Sequence, residues 1–435
     1  DSLVPRLQEV FEIDPGKAGL FQTAFFCAYG LVSIPAGMIL ARIGYKKGMI
    51  LGLSIIATGC LLYYPAAGGR IFALFLLAFF VTASGMAFLQ VAANPYIAVL
   101  GSEDRASSRL NLAQAFNSLG TWFAPIFGTL LILSDNIKSS DEIAELSIAD
   151  KELYFSGEAA AVQTPFLYIA AALIVLALVI ALFRLPKILG EEKGGTFLEA
   201  LKFPQLKFGA IGIALYVAAE VAIGTFAVKY FQAMGLPEMI KESGFMSSIV
   251  GLIIEDLSAV DDKAIVGAFV TFYWGGAMIG RFIGSIVMTM IESRKVLLFN
   301  TLMVIGLLLI SIFSIGFLSM WSLLLIGLFN SIMFPTIFTL AIEGLGKLKP
   351  QGSGILCSAI IGGALVPVMG AIAIMAGPAD DGVSATAFGY KVGLIFPMLC
   401  YIYINFYSRR VKKYHAWKTE ENLFEKRPLD WEQSQ

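Results

Sequence analysis

Histidine is nearly absent from this chain, one in 435 residues, and charge is scarce, with Asp, Glu, Lys and Arg at 14%. The single His415 lies in the C-terminal stretch, so no histidine-based acid–base pair or metal centre can be assembled. The four cysteines, Cys27, Cys60, Cys357 and Cys400, have neither C-x-x-C nor metal-ligand spacing and sit in apolar segments, where thiols read as small core residues. There is no P-loop, no H-E-x-x-H and no G-x-S-x-G with a supporting triad, the patterns that would carry nucleotide, zinc or acyl-transfer chemistry. No enzyme, no cofactor and no structural metal is therefore expected, and any transport would have to run on a gradient. Net charge is −1 with no basic patch interleaved with aromatics, which excludes a nucleic-acid partner. A signal-peptide pattern is also missing at the start.

What remains is apolar. Hydrophobic residues make up 57% of the chain and mean hydropathy is +0.78. Apolar segments fall at 17–41, 48–66, 70–99, 106–134, 162–185, 208–232, 263–291, 295–317, 319–342, 352–377 and 384–408. Most approach or exceed the length that crosses a bilayer. Backbone groups in hydrocarbon must be satisfied within the segment, and a barrel would show short alternating strands, so these are helices. The chain is expected to be an all-α polytopic membrane protein, its surroundings a lipid bilayer.

Lys and Arg concentrate in alternate loops, among them Arg42, Lys46, Lys47, Arg105, Arg184, Arg294, Lys295, Lys347 and Lys349, and in the tail from Arg409. That side is predicted to be cytoplasmic, including the C-terminus. With eleven spans before an inside tail, the segment 17–41 runs from outside to inside. Residues 1–12 then read as the end of a first helix truncated at its start, and twelve transmembrane helices are expected in all.

A repeat is also present. Gly120-x-x-x-x-Pro125-x-x-Gly128 returns as Gly362-x-x-x-x-Pro367-x-x-Gly370, each preceded by a proline in the previous span, Pro95 and Pro335. The fourth and fifth helices thus recur as the tenth and eleventh. Two pseudo-symmetric six-helix bundles are expected, 1–185 and 208–408, joined by a charged cytoplasmic linker 186–207 and followed by a cytoplasmic tail 409–435. Transporters with parallel halves are built in this way, with substrate at the bilayer midplane.

Polar residues at lipid depth are the candidates for function. Glu220 lies between Ala219 and Val221 in an apolar segment, where a charge costs about 2.5–3.5 kcal/mol on insertion scales. It must be protonated, paired or holding a cation. The functional reading is a coupling site for H+ or Na+; the structural reading is an ion pair with a base such as Arg281 or Lys229. Setting Phe11 against Tyr230 or Phe231 brings Asp1 opposite Glu220 to within one residue, a second candidate carboxylate in the equivalent position. Gln90 and Asn94 are four apart, and Asn111, Gln114 and Asn117 are spaced by three, so each set forms a stripe on a helix. Amides both donate and accept, which suits a polyhydroxylated ligand. Tyr29, Trp122, Tyr216, Tyr273, Trp274 and Phe334 could cover the CH faces of a sugar ring, and Asn330 adds an amide from the repeat-related span. The alternative use of such amides is to cross-link helices.

The residues resemble the major facilitator superfamily, and within it the fucose/glucose/galactose:cation symporters. The loop Gly37–Lys47 looks like the superfamily signature between helices two and three, with Ala41 where an Asp is usual. The closer match is Gln90-x-Ala-Ala-Asn94-Pro95-Tyr96, Arg109-Leu-Asn111-Leu-Ala-Gln114-x-Phe116-Asn117-Ser118, Tyr216-Val-x-x-Glu220-Val, Gly280-Arg281-Phe282-x-Gly284, Asn330-Ser-Ile-Met-Phe334-Pro335 and Gly362-Gly363-Ala-x-x-Pro367-Val. The resemblance implies a major facilitator fold in the cell's inner or plasma membrane, acting as a monomeric hexose importer by symport and alternating access. It aligns Asp1 with a membrane-embedded Asp of the family's first helix and gives Gln114 and Asn117 as sugar contacts. Fucose-type members carry an acid where Gln90 stands and an amide where Glu220 stands, so the arrangement is closer to the glucose/galactose branch. Coupling then falls to Asp1 and Glu220, with Arg281 as ion-pair or gating partner, and a transported Na+ at either carboxylate is the alternative to H+. The rival functions are a multidrug/H+ antiporter of the same fold and a non-transporting membrane sugar sensor.

Overall fold

A computed structural model of the chain describes residues 15–69, 71–132, 147–186, 195–253, 260–380 and 384–425. Among these, no strand forms beyond one isolated antiparallel bridge between Pro378 and Ala385. The long helices are α1 (Pro15–Ile43), α2 (Tyr45–Gly68), α3 (Phe72–Val99), α4 (Ala106–Ile132), α5 (Ile148–Leu182), α6 (Pro204–Ala233), α7 (Asp262–Val287), α8 (Ser293–Phe313), α9 (Gly316–Asn330), α10 (Met333–Ile342), α11 (Lys349–Ser358), α12 (Val366–Ala376) and α13 (Ile395–Glu425).

Ten helical segments among the described residues are long and apolar enough to cross a membrane. They correspond to ten of the eleven expected spans; the remaining one, 106–134, forms the helix α4. The surface is apolar in the manner lipid requires: Leu31, Val175, Leu182, Ile286, Phe299 and Leu318 are all more than half exposed. In water such a surface would be a large aggregation patch. Facing acyl chains, it is the ordinary outside of a membrane helix.

Two spans expected as continuous helices are interrupted. The segment Gly316–Ile342 is α9 and α10 with a turn at Ser331–Ile332, and Gly346–Ala376 contains a 3₁₀ stretch, Ala359–Leu365, between α11 and α12. Pro335 and Pro367 lie just past the two interruptions, and each has no N–H for the carbonyl four residues earlier. For Pro335 that orphaned carbonyl belongs to Ser331.

The chain divides into two compact units. One comprises Asp1–Ile97, Phe116–Gly194 and Ser353–Ala364, the other Ala98–Ala115, Gly195–Gly352 and Leu365–Gln435. In the first, α1 turns into α2 at Gly44, whose φ of 79° lies in the left-handed region that only glycine enters without strain. Helices α2 and α5 pack along their length, with Tyr63 stacked on Phe166 at 4.1 Å between ring centroids. Lys46 Nζ donates to the carbonyls of Ala181 and Phe183, each at 2.8 Å, and so satisfies the open C-terminal end of α5. Pro95 in α3 orphans the Val91 carbonyl, and Ser353 Oγ donates to it at 2.8 Å.

In the second unit α7 and α9 approach backbone to backbone. A Cβ on Gly280 would collide with the Leu328 carbonyl, and one on Gly327 with the Tyr273 carbonyl. Close approach through glycines is a recurring means of packing membrane helices. Here it brings the middle of α7, with Tyr273 and Arg281, against the end of α9, where Asn330 sits.

Candidate functional site

The second unit builds its polar centre around one carboxylate. Glu220 projects from the middle of α6 and is half-buried. One turn earlier on the same helix, Tyr216 donates its hydroxyl to Glu220 Oε1 at 2.6 Å, a short charge-assisted bond. Tyr273 from α7 donates to the Glu220 main-chain carbonyl at 3.2 Å. Asn330, fully buried at the C-terminal end of α9, donates through Nδ2 to the hydroxyl oxygens of Tyr273 at 2.8 Å and Tyr401 at 3.2 Å. Its own Oδ1 is buried with no hydrogen-bond partner. Four helices, α6, α7, α9 and α13, thus converge on one hydrogen-bonded network.

The positive charge in this network is Arg281 of α7, whose guanidinium is close enough to act on the charge of Glu220. Its Nε donates to the Ser331 carbonyl at 3.1 Å and an Nη lies 3.4 Å from the Gln114 carbonyl. The Ser331 carbonyl is the one that Pro335 leaves without a helical partner, so Arg281 replaces the missing backbone donor. Lys229, the other base considered for Glu220, is exposed. Phe334, buried, tilts against Phe338 at 6.0 Å.

The start of α4 belongs to the same unit. Asn111 is fully buried, with Nδ2 donating to the Ser107 carbonyl at 2.8 Å and Thr336 Oγ1 at 3.2 Å, and lying 3.9 Å from Met288 Sδ. Ser107 and Thr339 share a hydroxyl–hydroxyl bond of 2.6 Å, and Ser108 Oγ donates to the Ser285 carbonyl at 2.6 Å. Gln114, one turn further, is half-buried. The stripe Asn111, Gln114, Asn117 therefore divides in use. Its first amide is spent on α10, whereas Asn117, in the first unit, is exposed. Ser107, Met288 and Thr339 also line a cleft of about 600 Å³ with Glu103, Glu292 and Lys349. Two ion pairs lie along it, Lys349 with Glu103 at 3.2 Å and Arg294 with Glu292 at 3.0 Å. Arg294 holds the Glu292 carboxyl below the usual carboxylate range.

The remaining predicted residues lie in the first unit. Tyr29 of α1 is buried, and Gln90 of α3 sits beside its hydroxyl with Oε1 buried and without a partner. Asn94 is buried one turn on. Trp122 is 39% exposed and meets Phe123 edge-on at 5.1 Å. Asp1 lies outside the described residues. Sequence reasoning passed over Tyr401 and Ser331. A phenol in mid-span needs a partner, which was a signal for Tyr401; Ser331 acts through its main chain, and only the proline four residues on marks it.

Among the described residues the helices enclose a carboxylate, an arginine and an amide network, the kind of intramembrane polar group that marks a substrate or ion pathway. The sequence profile of the Major Facilitator Superfamily matches residues 2–378, and the chain belongs to that superfamily. It is 43% identical over 414 residues to a glucose/galactose transporter of Brucella abortus, covering 94% of this chain and 88% of the relative. To the L-fucose-proton symporter of Escherichia coli it is 33% identical over 420 residues, covering 94% and 88%. The crystal structure of FucP, a superfamily transporter in the outward conformation, matches with a TM-score of 0.80 at 31% identity and covers 94% of each chain.

Proposed function

We propose that this protein is a secondary active transporter that imports a hexose, glucose- or galactose-like, by symport with H+ or Na+. The name of the Brucella relative supports the substrate, and that of the Escherichia coli relative supports coupling to a cation. The observation that carries the coupling is the Glu220 carboxylate, bonded by Tyr216 at 2.6 Å and acted on by Arg281 within an otherwise apolar helix. A carboxylate of this kind exchanges its positive partner for a transported cation at modest cost, because both states leave the charge compensated. Asp1 is the second coupling carboxylate. Gln90, Asn94, Gln114 and Asn117 supply donors and acceptors for sugar hydroxyls, and Tyr29, Trp122 and Phe334 supply apolar faces.

In this reading the chain works as two six-helix bundles, 1–185 and 208–408, with linker and C-terminus in the cytoplasm, and as a monomer in the cell membrane. Alternating access follows if reorientation is permitted only with sugar and cation both bound or both absent, since an uncompensated buried carboxylate opposes closure. The test is radiolabelled hexose uptake into proteoliposomes with Na+ and pH gradients imposed separately. Uptake driven by one gradient and lost in Glu220→Gln is expected. Accumulation against a concentration gradient that survives Glu220→Gln would remove the coupling assignment.

A further inference from the structure

The hydrogen bonds around Asn330 run in one direction. An amide nitrogen only donates, so Tyr273, receiving Nδ2 of Asn330 at 2.8 Å, uses its oxygen as acceptor and sends its own hydrogen to the Glu220 carbonyl at 3.2 Å. Tyr401 accepts the other Nδ2 hydrogen at 3.2 Å. The next residue, Ser331, gives the carbonyl freed by Pro335 to Arg281 at 3.1 Å. Two consecutive residues at the break between α9 and α10 therefore lead to Glu220, one through Tyr273 and one through the guanidinium.

We propose that Asn330 is a positioning residue for the coupling carboxylate: through Tyr273 it holds the Glu220 turn of α6 to the break, so that cation occupancy of Glu220 and the conformation of the break change together. This rests on Glu220 being the coupling group. Both Nδ2 hydrogens are committed to the two phenols, so Asn330 has no donor left for a ligand and keeps only its buried Oδ1 as an acceptor. The titratable and charged groups facing Glu220 among the described residues are Tyr216 on its own helix, Tyr273 and Arg281 on α7, and Tyr401 on α13. Only Arg281 carries charge near neutrality, so displacing the Glu220 turn relative to α7 alters its main compensation.

The experiment measures hexose uptake in proteoliposomes as a function of cation concentration for Asn330→Leu, Tyr273→Phe and the double variant, with Glu220→Gln alongside. Each single substitution is expected to move the midpoint of cation activation by about threefold to tenfold, the weight of one buried hydrogen bond. The double variant should move it no further than the larger single one. A raised sugar KM at saturating cation with an unmoved midpoint, additive with Tyr273→Phe, would make Asn330 a direct sugar ligand and overturn the proposal. Should Asn330→Leu not fold, Tyr273→Phe keeps the ring and decides alone: an unmoved midpoint overturns the proposal. If Glu220→Gln itself retains full cation dependence, the coupling assignment fails first; if it loses that dependence while Asn330→Leu keeps a normal midpoint, only the positioning role fails.

Discussion

Replacing Arg281 with methionine keeps most of the side-chain length and removes three things at once: the donor to the Ser331 carbonyl, the Nη near the Gln114 carbonyl and the positive charge beside Glu220. The orphaned Ser331 carbonyl costs about 1–3 kcal/mol, and the Gln114 carbonyl, which keeps the backbone donor of its own helix, loses less. The charge term has a ceiling. Once its compensation is gone, Glu220 can take up a proton, and for an ordinary glutamate with a pKa of about 4.3 that costs about 3.7 kcal/mol at pH 7. A larger destabilisation from the lone carboxylate is not available, because protonation would intervene. Arg281→Met is therefore expected to lower thermal stability in detergent and to abolish uphill uptake while sugar exchange down its gradient continues. Adding Glu220→Gln to it should recover up to about 3.7 kcal/mol, leaving the carbonyl losses in place and uphill uptake still absent. If the double variant is as unstable as the sum of the singles, the two groups are not coupled and the reasoning is refuted.

Three further outcomes follow from other contacts. Ser353→Ala should lower stability by about 1–2 kcal/mol by orphaning the Val91 carbonyl, and Pro95→Ala, which restores a backbone donor, should rescue it; thermal denaturation of the four-member cycle checks this. Gly280→Ala should prevent formation of a monodisperse protein on size-exclusion chromatography, since its Cβ would meet the Leu328 backbone; a wild-type profile would show that α7 and α9 do not approach as described. Glu292 has a carboxyl pKa depressed by Arg294, so its stabilisation is present above the ordinary carboxylate range and is lost as pH falls through the lower folded value. With its side chain 46% exposed, Glu292→Gln should change stability by no more than about 1 kcal/mol at pH 7, and the difference should vanish at pH values well below the carboxylate range.

The membrane-spanning architecture was legible because hydropathy over long windows is a bulk property that tertiary contacts rarely override. Glu220 was legible for the same reason, as a single charge in an apolar run. The two prolines were visible as a repeat, but their consequence was not: which donor takes the Ser331 or Val91 carbonyl depends on Arg281 and Ser353, residues 50 and 262 positions away. The amide stripe was misleadingly uniform. Spacing by three put Asn111, Gln114 and Asn117 in one row, yet Asn111 is enclosed by Ser107, Thr336 and Met288, while Asn117 is exposed. Periodicity says which residues share a helical row, not what stands opposite each of them. Tyr401 was lost because the last span was read only as a span, and phenols pass for apolar residues until their hydroxyls are followed.

The Pro95, Val91 and Ser353 arrangement has a consequence for how this sequence can drift over generations. A hydroxyl at position 353 is required only while position 95 lacks an amide hydrogen, and a proline at 95 is tolerable only while a donor waits at 353. Ser353 thus cannot be exchanged while Pro95 remains, whereas Pro95 can be exchanged first, because the restored backbone N–H satisfies the Val91 carbonyl. Descendants of this chain should therefore carry a proline at 95 only together with a donor at 353, a one-way linkage that comparison of lineages would register even though the two sites are 258 residues apart in sequence.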